Sequence, residues 1–182
     1  MKPAALILDR DGTLIEHVPY LSDPAEVRLL PGVREALRIA RDAGVRLFMH
    51  SNQSGIGRGM FEMSDVVACN QRLIELLDMG PAPFEKICTA PEAPDQPSVY
   101  RKPSPRFARE IIGEYGVHPA AVWYLGDRGS DLATAHAAGT RGVGVATGLD
   151  DLRAELAELD LTDEFEVFDS LGEAIRYIFS HP

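Results

Sequence analysis

Leu6-Ile7-Leu8-Asp9-Arg10-Asp11-Gly12-Thr13 sets an aliphatic run directly against two acids that flank an arginine. A buried strand normally ends in neutral turn formers, because unpaired ionised carboxylates at the edge of a core carry a large desolvation cost. Something must compensate Asp9 and Asp11. Outward from this stretch, short aliphatic runs alternate with helical patterns along the whole chain, which predicts a parallel sheet with helices on both faces. Strands are expected at 4–8, 45–50, 86–89, 122–125 and 142–146, with a shorter one around 166–168. A helix is expected from Pro31-Gly32 to a stop at Gly44, with Val33, Ala36, Leu37 and Ala40 on its apolar face. Another covers 103–115 with Phe107, Ile111 and Tyr115 in a stripe, and a last one opens at Ser170, with Glu173 completing a capping box. The proline-rich segment 90–103 reads as a surface loop, and the acidic run 150–166 as a solvated helix face.

At 182 residues and 45% hydrophobic content the chain fits one domain over 1–182 with a sizeable core. A formal net charge of -10 excludes a polyanion surface, so neither nucleic acid nor an anionic membrane is expected as partner. No apolar run approaches the roughly 20 residues needed to span a bilayer, and the start MKPAALILD lacks a signal-peptide pattern. The expectation is a cytoplasmic monomer. Cys69 and Cys88 are too few for a disulfide framework and read as reduced thiols.

Ligands of open parallel sheets collect beyond the carboxyl ends of the strands. Here those ends read Asp9 to Thr13, Ser51 to Gly55 and Gly126 to Asp131, and Arg101-Lys102 stands at the mouth of a proline-started helix, where free N–H groups favour an anion. Asp9, Asp11, Asp127 and Asp131 would repel one another without a cation, and oxygen ligands of this kind suit magnesium. Ser51 and Lys102 would then hold phosphate oxygens on the opposite side. Residues two apart in an extended segment point the same way, so one of Asp9 and Asp11 can attack while the other moves a proton. Each residue also has a plainer reading: Asp9 and Asp11 as a solvated turn, Asp127 and Asp131 as helix-start acids, Ser51 and Asn52 as caps, Arg101 and Lys102 as surface cations. For Arg58 in GIGRG the choice is a sugar-phosphate contact or a solvated turn, and for His17 and Tyr20 a leaving-group contact or packing within a flap. His50 points away from the Ser51 side and reads as core.

Taken together, DRDGT, LLPGV at Leu29 to Val33, SNQSGIGRG at Ser51 to Gly59, RKPSP at Arg101 to Pro105 and GDRGSD at Gly126 to Asp131 resemble the haloacid dehalogenase superfamily of magnesium phosphatases. More narrowly they resemble its capless group of heptose-bisphosphate and histidinol-phosphate phosphatases. The resemblance implies a Rossmann-like α/β three-layer sandwich of sheet order 5-4-1-2-3 without a cap domain. It implies that Asp9 attacks phosphorus, that Asp11 serves as general acid and base, and that Mg2+ sits on Asp9, the Asp11 carbonyl and Asp127, with Asp131 acting through water. Thr13, Ser51, Asn52, Arg58, Arg101 and Lys102 are expected around a small phosphate ester. The heptose group commonly holds a structural zinc on a Cys-x-His and a Cys-x-Cys pair. Here Ala90 follows Cys88 where histidine would stand, and Ser98 and Tyr100 fill the second pair. One thiolate cannot make a four-coordinate site, so no structural zinc is expected and the loop should be ordered by its prolines. Within the group, the substrate reads as a heptose bisphosphate, with histidinol phosphate the alternative. Two other classes share parts of the pattern: a signalling receiver domain, and a catalytically silent module that binds a phospholigand.

Overall fold

The computed structural model describes residues 1–181. Six strands form one parallel sheet: β1 (Ala5–Leu8), β2 (Arg46–Asn52), β3 (Lys86–Ala90), β4 (Val122–Gly126), β5 (Arg141–Val145) and β6 (Glu166–Phe168), in the order β3-β2-β1-β4-β5-β6. This is the expected 5-4-1-2-3 order with the short sixth strand added beside β5. Register is set by apolar pairs, Leu6 lying between Leu47 and Trp123, and Ile7 between Phe48 and Tyr124.

Alternation along the strands feeds two separate cores. Leu6 and Leu8 of β1, Leu47 and Met49 of β2, and Trp123 and Leu125 of β4 face one side, which is covered by α1 (Val33–Asp42), α3 (Met63–Leu77) and α7 (Leu171–Ser180). Ala5, Ile7, Phe48, Val122 and Tyr124 face the other, covered by α4 (Arg106–Tyr115), α5 (Gly129–Ala138) and α6 (Leu152–Glu158). Strands buried on both faces are what a parallel sheet between helical layers requires. A single turn of helix, α2 (Ser54–Gly57), follows β2.

Three local readings change. No element is expected over 63–77, yet fifteen residues there form α3, whose buried stripe is Val66, Cys69, Asn70, Leu73 and Leu77. Its start is fixed by Asp65, whose carboxylate accepts the Glu62 N–H at 2.8 Å. The helix expected from Pro103 begins only at Arg106, because Ser104 is tied into the preceding loop by its hydroxyl, which donates to the Val99 carbonyl. The acidic run 150–166, expected as a solvated helix face, is helical only over Leu152–Glu158 and buries Leu152 and Leu156. Among the described residues no helix is long and apolar enough to cross a membrane.

The chain leaves β1 toward β2 on one side and reaches β4 on the other, so the carboxyl ends of these three strands surround the topological switch point.

Candidate active site

Beyond β1 the backbone folds into a tight loop: the Arg10 carbonyl accepts the N–H groups of Leu14 and Ile15, and the Gly12 N–H donates to the Ile15 carbonyl. The loop turns Asp9 and Asp11 toward a cavity of about 370 Å³. Arg10, His17, Tyr20, Asn52, Gln53, Arg101, Lys102 and Arg128 share its wall.

Lys102 is the electrostatic centre. Its ammonium, 4% exposed, donates to Asp9 Oδ1 and Asp131 Oδ1, both at 2.5 Å, and to the His50 carbonyl at 3.1 Å. All three N–H bonds are used. Burial works against the charge, but Asp131 and Asp9 outweigh it and hold the group well above the usual lysine range. Asp131 is further fixed by the Arg128 N–H at 3.1 Å.

Asp127 is wholly buried. Thr13 donates its hydroxyl to Oδ1 at 3.2 Å, while Oδ2 is buried without a partner. Two glycines make the room it occupies: a Cβ on Gly12 would stand 2.3 Å from Oδ2 and one on Gly148 2.0 Å from it. Gly12 also has φ +82°, a conformation that other residues rarely adopt. Burial, then the charges of Asp9 and Asp131, drive the Asp127 carboxyl far up. One oxygen from each of Asp9, Asp127 and Asp131 lies within 4.8 Å of the others. With all three ionised, one ammonium would leave two negative charges in a buried pocket, and Asp127 Oδ2 is without a partner. Hard oxygen donors with this residual charge fit a magnesium ion.

The remaining expected residues divide. Ser51 is buried next to the site with a free Oγ. Asn52 lines the cavity but commits its amide to the backbone of Lys102, accepting its N–H at 2.9 Å and donating to its carbonyl at 3.3 Å. Arg101 is half-buried on the wall and reaches the Glu92 carbonyl. Arg58 is not in the wall; it lies on the surface with its guanidinium 6.0 Å from the Tyr20 ring centre. His17 and Tyr20 do line the cavity.

His50 faces the core as expected. Tyr124 donates its hydroxyl to Nδ1 at 2.6 Å, which leaves Nε2–H to donate to the Tyr100 carbonyl at 2.9 Å. Burial, then the Lys102 charge, lower its pKa to about 3, so the ring is neutral.

Three contributions escape a reading of the sequence alone. Arg10, wholly buried, forks onto both oxygens of Asp11 at 3.0 Å, and Gln53 donates to Asp11 Oδ2 at 2.8 Å. Glu92 closes the loop after β3: its Oε1 accepts the N–H groups of Val99 and Tyr100, both at 2.9 Å. Gln96, Ser98 and Ser104 add further hydrogen bonds within this loop, beside its prolines. The Cys88 thiol nearby is pushed by burial to about 12, so it stays protonated. The signal for Glu92 is an acid between prolines in a proline-rich segment, and for Arg10 a cation between two acids.

Residues 99–174 match the family model described as HAD-hydrolase-like. Over 97% of its length the chain is 32% identical to D-glycero-D-manno-heptose-1,7-bisphosphate 7-phosphatase of Chlorobaculum tepidum, covering 95% of that protein. It is 34% identical to the D-glycero-beta-D-manno-heptose-1,7-bisphosphate 7-phosphatase of Pseudomonas aeruginosa, over 81% of this chain and 84% of that one. Among solved structures it superposes with a TM-score of 0.87 and 30% identity on the D,D-heptose 1,7-bisphosphate phosphatase of B. bronchiseptica, a complex with magnesium and phosphate, across 98% of this chain and 99% of that one. A sheet of this order, acids gathered at its switch point and likeness along nearly the whole length agree: the chain belongs to the HAD-like hydrolases, in the family of these heptose-bisphosphate phosphatases.

Proposed function

We propose that this protein is a magnesium-dependent phosphomonoesterase that removes the 7-phosphate of a heptose 1,7-bisphosphate through a phosphorylated Asp9. The observation that carries the reading is the placement of Asp9 at the cavity floor, with one oxygen held by Lys102 and with Asp127 and Asp131 beside it. The names and extent of the relatives support the substrate.

Asp9 attacks phosphorus with the carboxylate oxygen that Lys102 does not hold, and the ester oxygen leaves. Lys102 holds Asp9 in one orientation, and its charge favours the transferring phosphoryl group. Ser51 Oγ, free and adjacent, supplies a donor for a phosphoryl oxygen. Asp11 gives a proton to the departing sugar oxygen, then takes one from the water that hydrolyses the phosphorylated Asp9. Asp9, the Asp11 carbonyl and Asp127 would hold magnesium, which offsets the charge of the phosphoryl oxygens when bound. Arg101 and Arg128 on the rim suit the second phosphate of a bisphosphate.

The reading is of one domain acting as a monomer. Its two free cysteines suit a reducing cytoplasm. The expected result of a phosphate-release assay is turnover in magnesium that chelator abolishes, with kcat/KM highest for heptose 1,7-bisphosphate and lower for histidinol phosphate. Absence of release from every ester of a metabolite panel, in excess magnesium, would overturn the assignment.

A further inference from the structure

Asp11 is a short side chain at the cavity wall, and a lone carboxylate there rotates freely about two bonds. Here it does not. Arg10 places Nε 3.0 Å from Oδ2 and Nη2 3.0 Å from Oδ1, a two-point fork that fixes the plane of the carboxylate as well as its position. The third nitrogen, Nη1, donates to Asn70 Oδ1 at 2.9 Å. Asn70 belongs to the buried stripe of α3 and stands on the opposite side of Arg10 from Asp11 in this hydrogen-bond chain. Gln53, from the end of β2, adds a second donor to Oδ2. Oδ2 thus takes two donors and Oδ1 only one, which leaves Oδ1 an acceptor direction not used by the protein.

A buried guanidinium is costly unless its partners satisfy it, and a polar asparagine in the middle of an apolar helix stripe is costly as well. What the pair accomplishes is to fix one carboxylate in one orientation.

We propose that Arg10, braced by Asn70, is a positioning residue that aims Asp11 Oδ1 at the leaving oxygen. The inference rests on the reading of Asp11 as the proton donor. As the bond from phosphorus to the ester oxygen breaks and the bond to Asp9 forms, the proton on Asp11 Oδ1 passes to that oxygen. Asp11 is left as the carboxylate that the Arg10 fork holds. Proton transfer of this kind depends on alignment, so a loosened Asp11 loses rate where the leaving group needs a proton and loses little where it does not.

The test compares kcat/KM, which covers steps only through departure of the leaving group, for a sugar phosphate and for p-nitrophenyl phosphate. Asn70→Leu removes the brace without touching either ester. The expected result is a fall of about tenfold to a hundredfold on the sugar phosphate, and a fall at least about tenfold smaller on the aryl ester. Arg10→Lys, which keeps the charge but cannot make the two-point fork, shifts the ratio the same way and decides the matter if Asn70→Leu does not fold. Equal losses on both esters would mean a merely structural role, and no loss on either would mean no role; each overturns the inference. A wild-type protein that hydrolyses neither ester would instead overturn the proposed function itself.

Discussion

Asp9→Asn lowers kcat for phosphate release by about 10⁴ or more, the scale seen when a nucleophile is removed and only binding and electrostatic groups remain. The substitution keeps an oxygen for Lys102 to donate to, so the fold has no reason to fail. It also removes one of the two neighbouring charges that push Asp127 up, so in chelator the variant should be at least as stable as the parent. Loss of turnover with stability kept or raised separates chemistry from unfolding. Thermal melts in chelator beside a steady-state phosphate assay measure both. A variant that retains activity within tenfold would remove Asp9 from the mechanism.

Lys102→Met has the largest expected effect on stability. Its ammonium is the charge partner of both Asp9 and Asp131, at 2.5 Å each, and it is almost wholly enclosed. Removing one member of a buried ionic group leaves the others uncompensated, at a cost of about 3–5 kcal/mol. Urea denaturation at neutral pH should show that loss, together with absence of turnover. Asp131 and Asp127 are already raised above the usual carboxylate range, mainly by burial, so in the folded protein they take up protons before their unfolded counterparts do. Stability from that source is present in acid and is lost as pH rises through the raised values. The deficit of the variant should therefore shrink as pH falls, and magnesium should restore part of it at neutral pH. Equal stability of Lys102→Met and parent at neutral pH would mean that the ion group is not what holds the strand ends together.

Much of this was legible in the chain itself, and particular residues show why. Leu6 and Leu8 against Ala5 and Ile7 carry a period of two, and acids directly after them mark a strand end where charge is wanted. Both signals are local, so they survive without knowledge of the fold. The same holds for Gly12 and Thr13, whose places follow from the turn after β1. α3 was hidden because its buried stripe includes Asn70, so the apolar spacing is interrupted by the residue that braces Arg10. The meeting of Lys102 with Asp9 and Asp131 spans 93 and 29 positions, and nothing near Lys102 encodes it. It depends on Asn52 gripping the Lys102 backbone and on Glu92 closing the loop, contacts that exist only once the sheet has formed. Arg58 reads equally as a sugar-phosphate contact or a solvated turn, and only the fold places it, on the surface beside Tyr20.

The central claim is that phosphorus passes through Asp9 before it reaches water. Hydrolysis of a sugar phosphorothioate made chiral at phosphorus by two oxygen isotopes, run in water that carries the third, tests this directly, because each in-line displacement inverts the centre. Two displacements, on and off Asp9, predict inorganic thiophosphate with net retention of configuration. Net inversion would signify a single attack by water and would contradict the account.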